Sequence, residues 1–281
     1  MTHRVLEQEP QAQAESEKNL DTCFLTDRNG WAIAIKRVLE ERRVCLFDGI
    51  ADGILSAGSF LDRDVLDLFD AGEFAALSRR VCRRGRDGLE PFLERLLSAG
   101  AYRRFGHEAG YQRIEDELRR HADAPNPVSS FYFWNRTRRD VALTPFGILR
   151  GHRVLAPYVD HDVYDLLAAL PASLFLDGRF HTDALLRAHP RYADIPFATE
   201  RHNRLENRPH YRRFSLDLLA RTARRGSLAP LRVSRVGPSL LATAVTRKPI
   251  GWLGLLFYLV QLNQVAAGAS ISRKARFAGF A

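Results

Sequence analysis

Apolar positions recur every three or four residues along most of the chain, and the pattern departs from that spacing chiefly at one place. In "WAIAIKRVLEER" (31–42) they fall at 31, 33, 35, 38 and 39, which predicts a helix. "RVCLF" (43–47) then reads as a short buried strand, with Val44 to Phe47 as its parallel-sheet core, ending in a turn with Asp48, Gly49, Asp52 and Gly53. Helix feeding strand feeding Gly/Asp turn is the wrap of a parallel sheet. Beyond the turn, helical spacing predicts helices over 63–84, 89–105, 111–122 and 131–150, so that most of residues 63–190 is helical. "DAPNPVSS" (123–130) is a proline-rich break, and Pro145 should kink or restart the helix that contains it. Residues 152–171 read as a turn and then a helix capped near Asp160, and 180–190 as a helix stopped by Pro190. "ERHNRLENRPHYRR" (200–213) reads as an exposed or ligand-facing loop.

Two termini complete the pattern. Residues 1–29 form a polar, loosely ordered leader without a signal-peptide core, leaving 30–281 as the folded domain. The apolar run from Ile250 to Val260 is shorter than the roughly 20 residues of a membrane span. It predicts a buried terminal helix or an oligomer contact rather than a surface anchor. The expected class is α/β and mostly helical.

Composition adds limits. With 281 residues, 46% hydrophobic, the chain can bury a large core. Three widely spaced cysteines (Cys23, Cys45, Cys82) suggest a reducing, cytoplasmic setting rather than a disulfide framework. The net charge of +9 comes almost wholly from arginine, and it favours anionic partners. Yet the basic clusters fit no nucleic-acid motif, and their interleaving with acids, as in "RIEDELRR" (113–120), marks solvated helix faces. Specific nucleic-acid binding is not expected.

Candidate chemistry is sparse. There is no Walker A pattern, GxGxxG, GxSxG or convincing metal spacing. "SAGSFLD" (56–62) superficially resembles a phosphate loop, but it lies within a helical pattern and predicts close helix packing at Gly58. The turn from Asp48 to Gly53 has two readings. It is a ligand crevice at a strand end, or Asp48 and Asp52 are turn formers that bond their own backbone.

The order of segments resembles the synthetase domain of the asparagine synthetase family over roughly residues 30–215. The family's G-E-G-x-D-E-x-x-G-G turn matches Gly49 at one end and Ala57-Gly58 at the other. Its R-x-x-x-A-x-S-x-x-G is matched by Arg138, Ala142, Thr144 and Gly147, and its P-F-L-D by Pro157 to Asp160. Its basic segment ending in L-R is similar to "RFHTDALLR" (179–187). The resemblance implies a partial adenine-nucleotide hydrolase-like fold, a parallel-sheet remnant with a large helical lobe. It also implies ATP-dependent amidation of a small carboxylate, of the aspartate-to-asparagine type. ATP and magnesium would be cofactors, with Asp48, Gly49, Asp52, Gly53, Arg138 and Asp160 on the nucleotide side. Asp48 and Asp52 would serve the metal; the family's catalytic lysine has no clear counterpart here, and Arg179 and His181, which lie near its position, would take the catalytic place. If such a site persists, Asp48, Asp52, Arg138 and Arg179 should face one crevice.

The departures shape the expectation. The family's S-G-G-x-D-S loop and its glutaminase domain do not occur here, the family's glutamate falls on Ile50, and its aspartate falls on Gly53. The resemblance therefore implies the carboxyl-side part of a split synthetase, working with a complementary synthetase chain or as a homo-oligomer. The alternative is a non-catalytic interaction protein of the same fold.

Overall fold

The computed structural model describes residues 12–26, 29–40, 44–86, 93–94, 96–195, 208–224, 231–246 and 253–266. These residues are mostly helical, with one small parallel sheet. Helix α1 (Ala12–Asp21) and α2 (Ala32–Leu39) lead to strand β1 (Cys45–Phe47), followed by α3 (Asp52–Leu55), α4 (Arg63–Asp70), α5 (Phe74–Arg86), α6 (Ala99–Phe105) and α7 (His107–Arg119). Helix α8 (Pro127–Tyr132) runs on into two π-helical segments, Phe133–Val141 and Leu143–Ile148. Strand β2 (Arg153–Leu155), α9 (His161–Ala168), a 3-10 turn (Ala172–Phe175), α10 (Arg179–Ala188), α11 (Arg208–Arg224), α12 (Val233–Thr246) and α13 (Leu253–Ala266) follow.

The expected parallel strand is present, and β1 pairs with β2 in the register Cys45 to Arg153 and Phe47 to Leu155. It is not buried as expected: Cys45 and Phe47 are exposed, because β1 lies in a two-stranded sheet among the described residues. The mostly helical α/β class holds. Several boundaries differ for local reasons. The single run over 63–84 is divided at Gly72, whose φ of 69° ends α4. Ser98 starts a new helix within 89–105 by accepting the Ala101 N–H at 3.3 Å. The helix expected from 131 already begins at Pro127, because Asn126 accepts the Ser129 N–H at 3.0 Å and proline suits a first helical turn. The helix then restarts at Ala142, and Pro145 sits in the first turn of the second π segment. Asp160 caps α9, as its position suggested.

Two further expectations need correction. Residues 12–21, inside the stretch expected to be a loose leader, form α1, with Lys18 and Asn19 fully buried. Residues 208–213 of the expected loop open α11, while 200–207 lie outside the described residues.

The terminal apolar segment is buried as expected over α13, where Leu253, Leu256, Phe257 and Val260 join Phe214 and Leu218 of α11 and Val236 and Leu240 of α12 in one core; Trp252 lies outside the described residues. A second core gathers Ile54, Val65, Phe69, Leu77, Leu118, Val128 and Phe131 beneath α3, α4, α5, α7 and α8. This second core fixes the floor of the turn that follows β1.

Candidate functional site

The site is built outward from the end of β1. The Asp48 N–H extends the sheet ladder by donating to the Leu155 carbonyl at 2.9 Å. The Asp48 carboxylate then accepts the Ile50 N–H at 2.8 Å, which folds the chain into a turn. Ala51 follows with φ of 76°, a left-handed conformation that an alanine adopts only under strain. Helix α3 starts at once, held from below by the Ser129 hydroxyl, which donates to the Ile54 carbonyl at 2.8 Å.

A glycine decides what meets α3. Gly58 has φ of 65°, and a Cβ there would lie 2.8 Å from the Phe175 carbonyl oxygen. That close approach clamps the 3-10 turn at 172–175 against the end of α3; the packing expected at Gly58 is present, but Gly58 lies beyond the helix in a left-handed turn rather than within a helix. Gly178 with φ of 68° then turns the chain into α10, and Phe180 anchors it on Phe175 with ring centroids 4.8 Å apart. His181, the next residue, is thereby delivered to α3.

The result is a polar cluster. His181 Nδ1 lies 2.9 Å from Ser56 Oγ and 3.2 Å from Asp52 Oδ1. The Ser56 hydroxyl also donates to the Asp52 carboxylate, and the Tyr158 hydroxyl stands close enough to Asp52 and Ser56 to be influenced by both. Among His181, Asp52 and Ser56 the contacts fit one proton assignment, in which Nδ1–H of His181 points toward both oxygens and Ser56 donates to Asp52. Burial raises the Tyr158 pKa, and the nearby Asp52 charge adds to the effect, so the phenol remains a donor at neutral pH. Ser56 is buried, whereas the Asp52 and His181 side chains keep part of their surface open.

The cluster joins two of the residues singled out in the sequence, Asp52 and His181. The others are engaged nearer home. The Asp48 carboxylate serves its own turn, and Asp160 caps α9 through the Asp162 N–H at 3.2 Å. Arg138 stacks over the Trp134 ring at 5.0 Å, and Arg179 reaches Asp183 at 3.5 Å from a largely exposed position. Gly49 has nothing within 4 Å of the place a Cβ would occupy, and at Gly53 a Cβ would lie 3.2 Å from Ser59 Oγ. Ser56 and Tyr158 were missed by sequence reasoning. Spacing offered a signal for the first, since Ser56 stands four residues after Asp52 and so on the same face of a helical turn.

Magnesium takes one or two carboxylates and fills its remaining positions with water and phosphate oxygens. The partly open Asp52 carboxylate fits that demand in kind, and the open side of Gly49 leaves room for close approach to the backbone. Asp48 fits less well, because its carboxylate is turned onto the Ile50 N–H. Among the described residues no group of three or more His, Cys, Asp or Glu side chains is gathered for a metal. A separate cavity of about 460 Å³ is lined by Tyr102, Arg103, His107, Glu108 and Tyr111, on α6 and α7.

Compared with family models, curated proteins and solved structures, the chain matches none.

Proposed function

We propose that this chain is the carboxyl-side part of an ATP-dependent amide ligase of the asparagine synthetase type. Asp52, Ser56, Tyr158 and His181 form one wall of its nucleotide site, and a complementary synthetase chain carries the phosphate-gripping loop. The observation that carries this reading is the meeting of His181 with Asp52 and Ser56, the latter 125 residues away in sequence, at the end of a parallel strand. The left-handed Ala51 adds support. It falls on the second glycine of the G-E-G-x-D-E-x-x-G-G pattern, where glycine would take that conformation without strain.

In this reading Asp52 holds magnesium, with Asp48 beside it shaping the turn. Gly49 and Gly53 keep the backbone open to the phosphates, and Arg138 and Asp160 border the nucleotide. His181, with Arg179 at the head of the same helix, stands where charge builds on the departing pyrophosphate. Cationic groups and metal placed there stabilise that charge as the bond breaks. The acceptor is a small carboxylate, amidated with ammonia, in the reducing setting of a cytoplasm. No helix among the described residues is long and apolar enough to cross a membrane.

A second reading, a non-catalytic interaction protein of the same fold, is favoured by one observation. Phe47 at the end of β1 is 79% exposed, an apolar ring facing solvent on a sheet with two strands among the described residues.

Imidazole-detected nitrogen NMR of the full chain, titrated with magnesium pyrophosphate, separates the two. The ligase reading predicts that the His181 resonances shift and that Asp52→Asn abolishes the shift. A His181 signal unmoved at millimolar magnesium pyrophosphate, both alone and with a loop-bearing chain bound, would sink it.

A further inference from the structure

The first helix is held in an unusual way. Helix α1 packs against α13, α2 and the second π segment, yet in the apolar cores it is represented only by Ala12 and Ala14. What fixes it is polar. The Asn19 amide donates to Gln261 Oε1 at 2.7 Å, and the Gln261 amide donates back to Ser16 Oγ at 2.7 Å, across 242 and 245 residues of sequence. Asn19 is fully buried and Gln261 is 1% exposed. Lys18, also fully buried, reaches the Thr26 carbonyl at 3.3 Å and Glu15 at 3.1 Å. The turn after α1 adds a polar tie, since Tyr258 donates to the Phe24 carbonyl at 2.6 Å, beside one edge-on contact of the Phe24 and Tyr258 rings with centroids 5.7 Å apart.

The same turn is tied to the segment that carries Arg138. The Thr26 hydroxyl bonds the Asp140 carboxylate, and the Asn29 amide donates to the Asp140 carbonyl at 3.3 Å. Asp140 lies two residues from Arg138 on the first π segment.

We propose that α1 and its following turn form a polar-keyed clasp, which opens as a unit apart from global unfolding. Its opening releases Asp140 and loosens the π segment at 133–141. The physical reason is the kind of contact. Buried hydrogen bonds specify one docking geometry, but on opening the same groups regain water, so the net cost is small. A helix anchored by several leucines has no such compensation, because its apolar surface gains nothing from water. Segments with few buried apolar contacts open at the low end of a protein's stability range. The clasp would thus govern how firmly Arg138 is held, whether or not the chain is a ligase.

Hydrogen exchange of the full chain without nucleotide tests this directly. Amides of 12–26 are expected to exchange faster than those of α7 (107–119). Asn19→Ala should speed exchange of 12–26 and 133–141 by about tenfold, the scale of one buried hydrogen bond, and leave α7 unchanged. The apolar pair Asn19→Leu with Gln261→Leu should slow exchange of 12–26. Exchange of 12–26 in step with α7 in the wild type would overturn the clasp, as would a pair that fails to slow it. An Asn19→Ala effect confined to 12–26 would overturn its link to the π segment.

Discussion

Two small residues set the geometry of the cluster. Ala51 holds a left-handed conformation at the entrance to α3, and Gly58 lets the Phe175 backbone approach its exit. Ala51→Gly removes the Cβ conflict, and urea unfolding should show a stabilisation of about 1 kcal/mol. Gly58→Ala meets both a left-handed φ and the Phe175 carbonyl. It should cost about 2 kcal/mol or more and separate His181 from Asp52. Close packing at Gly58 was legible, but its place was not, because the apolar spacing reads as helix where α3 in fact ends at Leu55 and the chain turns. Asp52 was legible as candidate chemistry, but not as the first residue of α3, where its carboxylate meets Ser56 and His181. Its partnership with Ser56 and Tyr158 was not. Ser56 lies in a stretch whose apolar context reads as core, and Tyr158 lies in a proline turn, where spacing says nothing of contacts with α3.

Among the elements, α7 and α8 are joined by a neutral histidine. His121 Nδ1 lies 2.8 Å from Ser130 Oγ, and its Nε2 lies 3.4 Å from the Asn135 amide nitrogen. Asn135 also donates to the Phe131 carbonyl at 3.1 Å, which fixes its amide so that NH₂ faces the ring. A protonated ring would set donor against donor. Burial lowers the His121 pKa below 6.5, with smaller opposing and reinforcing effects from Glu117, Arg120 and Arg139. The sign follows from proton uptake. The unfolded chain binds the proton at higher pH than the folded one, so stability is full above 6.5 and declines as pH falls toward the lowered folded value. His107, also lowered by burial, contributes in the same direction. Unfolding midpoints measured between pH 7.5 and 5 should therefore fall for the wild type, and fall less for His121→Gln. An equal decline in both would remove His121 from this role.

Element boundaries were readable where one residue dominates the local energetics. β1 was legible because a short apolar run ends in a Gly/Asp turn. β2 was not, because its three residues, Arg153–Leu155, are too few to show a period of two. The π segments are invisible to a search for 3.6-residue spacing, although Pro145 did mark the restart. Helix α1 escaped because its anchoring contacts are polar and come from the far end of the chain.

At the scale of the whole molecule, a helical body presents a short parallel sheet whose strand-end turn carries Asp52 toward His181. The two main cores, one beneath that turn and one among α11, α12 and α13, were legible as apolar periodicity only in part. The terminal helix stood out by its continuous apolar run, whereas α11 and α12 carry shorter apolar stretches among arginines and a proline. Which segments meet depends on contacts far apart in sequence. We have proposed that the cluster belongs to a nucleotide site completed by a second chain. ATP–pyrophosphate exchange with aspartate tests it most directly, using the full chain alone and mixed with a polypeptide carrying the S-G-G-x-D-S loop. The prediction is no exchange by the chain alone, because no such loop offers backbone N–H groups to the phosphates, and exchange in the mixture that is lost with Asp52→Ala. Exchange by the chain alone that survives Asp52→Ala, or a mixture that forms a complex and stays silent, would contradict it.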